Sequence, residues 1–146
     1  MVRFMEHVEQ IIVYKSIRKL ELWSVGSMIR TYHIALGQNP EGHKLFEGDG
    51  RTPEGEYFID DKNPKSKFYL NLGISYPNDE DRRNAYQTGK EPGGDIKIHG
   101  LPKGYGWIGK FHKFKDWTAG CIAVSNKEIR EIYDLVEIGT PIKINP

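Results

Sequence analysis

Eight short segments of this chain, QIIVYKS, KLELWSV, MIRTYHIAL, GEYFIDD, KFYLNLGI, DIKIHG, CIAVS and PIKIN, alternate apolar with polar residues and are rich in β-branched and aromatic side chains. A period of two sends successive side chains to opposite faces of a strand, so each segment can bury one face and wet the other. The spacers GQNPEGHK, EGDGRTPEG and YPNDEDRRN carry the Gly, Pro, Asn and Asp that favour turns. Short strands at such close spacing predict a mainly β fold, a sandwich or a barrel. Two helices are expected beside them. SNKE, from Ser125, is a capping box with Glu128, and Ile129, Ile132, Tyr133 and Val136 then recur at helical spacing before Gly139 supplies a stop. Asn78 to Gly89 is polar nearly throughout and predicts a surface helix with few anchors.

With 146 residues, no internal repeat and no linker-like tract, residues 1–146 are expected to form one domain. The formal net charge of +1 gives no global pull toward nucleic acid. No apolar run approaches the roughly 18–20 residues of a membrane span, and Glu6 and Glu9 interrupt any signal-peptide core, so neither a span nor a signal peptide is expected here. A single cysteine excludes a disulfide scaffold.

That cysteine, Cys121, lies in DWTAGCIAVSN between a glycine and a strand-like run. It reads either as a small buried hydrophobe or as a nucleophile fixed at a strand end, where Gly120 lets a carbonyl approach backbone amides. An ordinary thiol is only a few per cent ionised at neutral pH, so the second reading needs a base. His99 is one candidate, at the end of DIKIHG beside Gly100, where alternation groups it with Asp95 and Lys97 and opposite Ile96 and Ile98. His112 is the rival. It sits in a stretch bearing Lys103, Lys110, Lys113 and Lys115 among Tyr105, Trp107, Phe111, Phe114 and Trp117, a composition that suits an anionic ligand with an apolar body, or a solvated loop folded on the core. Single-stranded nucleic acid would also suit it, but one short stretch in a near-neutral chain is weak support. Asp95, His99, His112, Asp116 and Cys121 match no tight metal-ligand spacing, and neither the GDG around Asp49 nor Gly93–Gly94 fits a phosphate loop.

IHG at Ile98–Gly100, then DWTAGCIAVSN, then GTPIKI, preceded by GDGRTPEGEYFI and by SIRKLELW with RTYHIALG, resembles the L,D-transpeptidase catalytic domain family, the YkuD type, from about Ile11 to Ile144. The resemblance implies a mainly β, sandwich-like catalytic domain with a few short helices, one following the cysteine. It implies Cys121 as nucleophile, His99 as the group that takes and returns the proton, Gly100 as the carbonyl that orients the imidazole, and the amides of Gly120 and Cys121 as the oxyanion site. Thr118, Trp117, His112, Lys110 and Arg51 are expected to meet the substrate. No cofactor or metal is implied. The partners implied are peptidoglycan stem peptides, with another stem peptide or an envelope protein as amine acceptor or water in an L,D-carboxypeptidase reaction, and carbapenem-type β-lactams as inhibitors. The substrate would place the protein in the periplasm or cell envelope. Two features depart from the commoner family motif: Ala119 stands where a histidine is usual, and His99 and Cys121 are 22 positions apart (121 − 99). Both resemble a subgroup with DWTxGC. A different class, a wall-binding module working through the aromatic loop, predicts binding that survives loss of Cys121 and collapses on changing Trp107 or Trp117.

Overall fold

The computed structural model describes residues 7–146, apart from the side chains of Lys110, Phe111, Lys113 and Phe114. All eight segments form strands: β1 (Gln10–Tyr14), β2 (Lys19–Ser24), β3 (Ser27–His33), β4 (Gly55–Ser66), β5 (Tyr69–Ile74), β6 (Lys97–His99), β7 (Ile122–Ala123) and β8 (Pro141–Asn145). They make one sheet in the order β3-β2-β1-β8-β4-β5-β6-β7, antiparallel except where β1 meets β8 and β6 meets β7. The sheet curls until its ends meet. Beyond β3 the chain continues to Ala35, which exchanges two hydrogen bonds with Ala123 of β7 at 3.0 and 2.9 Å, and Gly37 bridges to Thr118.

The curl encloses the apolar faces that the alternation marks, including Ile11, Val13, Leu20, Leu22, Ile59, Leu72, Ile98 and Ile122, all essentially without solvent contact. Helix α2 (Asn126–Leu135) packs Ile129 and Ile132 into the same cluster, joined by Val136 just past its end. Its start is the expected capping box: Ser125 Oγ accepts from Glu128 N–H, and the Glu128 carboxylate accepts from Ser125 N–H. Between β6 and β7, Gly106–Phe114 forms 3₁₀ turns where the sequence read only a loop. The helical turns are broken at Gly109, whose φ of 55° is available to glycine at little cost, so no helical period builds up for a sequence reading to detect.

Helix α1 (Asp79–Gln87) is more firmly anchored than its polar sequence suggests. The anchor is Asp81, 5% exposed, whose carboxylate accepts from Tyr57 Oη (2.7 Å), His43 Nε2 (2.8 Å) and Asn78 N–H (3.0 Å). His43 Nδ1 accepts from Glu54 N–H at 2.8 Å, so Nε2 carries the proton donated to Asp81. Asp81→Ala strands the buried Tyr57 hydroxyl and the half-buried His43 Nε2–H. It is expected to cost about 2–4 kcal/mol in a urea titration, whereas Asp79→Ala, on the exposed side, should be near neutral.

Candidate active site

Cys121 stands one residue before β7, on the seam where the curled sheet closes. Parallel pairing aligns Ile98 with Ile122 and His99 with Ala123, which leaves Cys121 level with Lys97. Ile98 and Ile122 fill the core, so alternation turns Lys97, His99 and Cys121 to the other face. The cysteine and the histidine are therefore diagonal neighbours on adjacent strands. The thiol is held from both sides, accepting from Lys97 N–H and donating to the Asp95 carbonyl, each at 3.3 Å. Burial pushes its pKa up; the Lys97 amide and charge, and more weakly Lys44, oppose that shift, and Asp95 adds to it.

His99 is 3% exposed and stacks on Phe68 with ring centroids 4.3 Å apart. Its Nδ1 lies 2.7 Å from the Gly100 carbonyl and must donate, which leaves Nε2 with the lone pair of a base. Gly100 has no room for a side chain: a Cβ there would stand 2.6 Å from Asn126 Oδ1 and 2.8 Å from the Phe68 carbonyl oxygen. Burial pushes the His99 pKa down to about 4, against the pull of the Gly100 carbonyl, and the charge of His112 lowers it further. At rest the pair is thus a neutral thiol and a neutral imidazole.

The segment before the cysteine is fixed by contacts no local pattern announces. Asp116 accepts three hydrogen bonds from the Arg18 guanidinium, at 3.2, 3.2 and 2.8 Å, and one from Leu36 N–H at 3.0 Å. Thr118 Oγ1 accepts from Gly120 N–H at 3.1 Å and donates to the Cys121 carbonyl at 2.7 Å. Gly120 adopts φ +143°, and a Cβ there would stand 2.8 Å from the Arg51 carbonyl oxygen. The loop presenting that carbonyl is tied by Asp49, whose carboxylate accepts from the amides of Leu45, Phe46 and Arg51 and from the buried Lys44 ammonium. The GDG stretch is indeed a turn, with Gly48 and Gly50 at positive φ.

Three of the residues expected at the site make further contacts of their own. The Gly120 amide donates to Thr118 Oγ1, while the Cys121 amide makes no hydrogen bond among the described residues. Thr118 is buried and its hydroxyl bonds close the turn, so it shapes the loop. Arg51 meets Gly120 through its carbonyl, while its guanidinium reaches back toward Gly42, 3.2 Å from where a Cβ on that glycine would stand. Trp117 and His112 do sit beside the imidazole. Trp117 is 5.7 Å from His99 between ring centroids and 6.5 Å from His112, and its Nε1 points to His112 Nδ1 at 3.5 Å. Both line an apolar cavity of about 310 Å³ with Leu101, Pro102, Tyr105, Ile108 and Lys115. The Lys110 side chain lies outside the described residues. Among those described, no group of three His, Cys, Asp or Glu converges as a metal site.

A family model described as the YkuD L,D-transpeptidase catalytic domain matches residues 9–144. The chain belongs to that family. It is 28% identical over 130 residues to YafK of Escherichia coli (strain K12), covering 85% of this chain and 45% of that relative. A single-residue variant of the helical cell shape determining protein Pgp2 from Campylobacter jejuni superposes with a TM-score of 0.71 at 25% identity, over 97% of this chain and 48% of Pgp2. The L,D-transpeptidase LdtMt1, solved with imipenem, shares the fold with a TM-score of 0.59 at 17% identity, over 92% of this chain and 57% of its own. The chain thus spans about half the length of the curated relatives it matches.

Two predictions test this geometry. A base of pKa about 4 is available above that pH, and a raised thiol pKa keeps Cys121 protonated to the alkaline side, so kcat/KM for acylation of Cys121 should run flat from about pH 5 to pH 8. An acid limb near 6.5, the ordinary histidine value, would show His99 to be solvated instead. Thr118→Val removes both bonds of the turn while keeping its volume; it is expected to cost about 1–3 kcal/mol in thermal unfolding and to lower kcat/KM, with Thr118→Ser restoring most of both.

Proposed function

We propose that this chain is a peptidoglycan-modifying cysteine acyltransferase working through a Cys121 thioester. The observation that supports it most directly is the placement of Cys121 and His99 on one face of adjacent parallel strands, with the imidazole tautomer set by the Gly100 carbonyl. As a substrate carbonyl approaches, His99 Nε2 takes the thiol proton and the sulfur attacks the carbonyl carbon of the L-centred residue before a terminal D-alanine. The oxyanion of the tetrahedral intermediate takes a hydrogen bond from the Cys121 amide. The carbon–nitrogen bond then breaks, and the departing amine collects the proton from His99. A second amine, from another stem peptide or an envelope protein, attacks the thioester and gives its proton to His99, which returns it to the sulfur. Water in place of that amine yields the L,D-carboxypeptidase product from the same intermediate.

The apolar cavity walled by Trp117 and His112 lies beside this pair, and Lys115 at its edge offers a cation to a substrate carboxylate. This reading places the protein in the periplasm or cell envelope, where peptidoglycan is found. No helix among the described residues is long and apolar enough to cross a membrane.

A carbapenem is the sharpest probe, since its strained carbonyl acylates an activated cysteine without needing an acceptor, and LdtMt1 of the same fold is described with imipenem bound. Intact mass after incubation should rise by one carbapenem on the native chain and stay unchanged for Cys121→Ala. No adduct, with a thiol that also resists small alkylating reagents, would return Cys121 to the status of buried structure. Product analysis with and without an acceptor amine then separates transfer from hydrolysis.

A further inference from the structure

Leu101 and Pro102, which line the apolar cavity beside His99, also line a second cavity, of about 480 Å³. Its other walls come from the β4–β5 hairpin and from Asn126, the first residue of α2. Ser66 and Tyr69 of the hairpin stand on either side in sequence of Phe68, whose ring stacks on His99. Lys103 N–H bonds the Lys67 carbonyl at 3.1 Å and Gly100 N–H bonds the Phe68 carbonyl at 3.0 Å, so the two segments that frame the cavity are tied together next to His99. The polar side chains of this lining are hydrogen-bond donors. Lys65 and Lys103 each bring an ammonium group, and neither has an ion-pair partner among the described residues. Asn126 Oδ1 accepts from Leu101 N–H at 2.8 Å, which leaves its NH2 to donate. Ser66 Oγ accepts from Phe68 N–H at 3.0 Å, which leaves its hydroxyl proton to donate. No Asp or Glu lines the cavity.

Elsewhere in the molecule the cations of a cavity are already paired. Where Lys15 and Arg18 line one, each holds a carboxylate, Glu54 at 3.1 Å and Asp116 at 2.8 Å. Here the nearest acid along α2, Glu128, is committed to Ser125 N–H. Residues 62–78 and 96–115, the stretches that frame the cavity, carry three and five lysines and no Asp or Glu, in a chain whose formal net charge is only +1. The positive field is therefore local to this side of the site. An ionised carboxylate offers about four lone-pair sites, and four donor side chains line this cavity. We propose that the cavity is a carboxylate subsite for the peptide substrate: while the scissile carbonyl meets Cys121, an acidic group elsewhere on the same peptide sits between Lys65 and Lys103 and takes hydrogen bonds from Asn126 and Ser66. Lys115, at the edge of the apolar cavity, serves the terminal carboxylate, and the wall of Leu101 and Pro102 shared by the two cavities keeps the two charges apart. The preferred substrate class is then a peptide with an internal carboxylate in addition to its C-terminal one.

The substrate is that of the proposed function, so the test reads binding and not turnover. Two synthetic tetrapeptides ending in D-alanine, alike except that an internal carboxylate is free in one and amidated in the other, are titrated into the Cys121→Ala chain. The free acid should bind about tenfold more tightly, the size expected from charge-assisted hydrogen bonds, and should shift the side-chain amide resonances of Asn126. With Lys65→Met and Lys103→Met added, the two peptides should bind alike, while the melting temperature stays where it was because both lysines are exposed. Equal affinities with both lysines present, or a preference that survives their loss, would overturn the proposal. Inorganic phosphate that displaces the free acid and shifts the Asn126 amide as far at the same concentration would overturn it too, by showing a cavity for any small anion. A native chain that forms no carbapenem adduct, beside a lysine-dependent preference in Cys121→Ala, would refute the acyl-transfer reading and leave the subsite standing; an adduct with no preference would do the reverse.

Discussion

Closure of the sheet on itself is the constraint from which the site follows. β7 is only two residues long, too short to hold its place by its own pairing with β6. It is fixed because a second chain segment, Ala35 beyond β3, bonds Ala123 from the opposite side at 3.0 and 2.9 Å. A strand pinned on both edges carries Cys121 at its mouth with little freedom, and the neighbouring strand delivers His99 by register rather than by a flexible loop. The Arg18–Asp116 cluster serves the same end. It ties the loop ahead of the cysteine to the turn between β1 and β2, so the seam is clamped above Cys121 as well as beside it.

The electrostatics of the pair follow from that burial. A thiol pushed up and an imidazole pushed down both prefer the uncharged state, and a thiolate–imidazolium pair is correspondingly rare at rest. Such a site exposes little thiolate to oxidants, and its reactivity depends on groups that act only when charge appears. The Lys97 amide, which already touches the sulfur, becomes a stronger donor once the sulfur is an anion. The Gly100 carbonyl does the complementary work at Nδ1 of the imidazolium.

What could be read from the residues divides along the same line. The eight strands, the α2 capping box and the pairing of Cys121 with His99 were legible because each depends on a local period, a cap or a glycine-flanked strand end. The anchoring of α1 was not, because Asp81 looks like any acidic first-turn residue until Tyr57 and His43 arrive from elsewhere in the fold. The contacts of Thr118 and Arg51 were not legible either, for one reason. A polar residue near a catalytic motif can serve the substrate or the backbone, and only three-dimensional contacts show that the Thr118 hydroxyl closes its own turn and that Arg51 meets the site through its carbonyl.

The replacement of the usual histidine by Ala119 also has a structural answer. Ala119 is exposed, and the turn around it is closed without its side chain: Thr118 bonds both Gly120 and Cys121, its own amide bonds the Leu36 carbonyl at 3.1 Å, and its carbonyl receives Gln38 N–H at 3.0 Å. Position 119 therefore contributes no hydrogen bond that the loop needs for its shape. The aromatic wall of the site comes instead from Trp117, two residues earlier, and from Phe68 on the turn between β4 and β5, whose rings are 6.2 Å apart with His99 in contact with both. Phe68 stacked on the imidazole and Trp117 tilted beside it shield the ring from water and yet tolerate its protonation, because the Phe68 face offers negative π density to a cation. A loop that is both self-closed and aromatic-walled can do without a histidine at position 119.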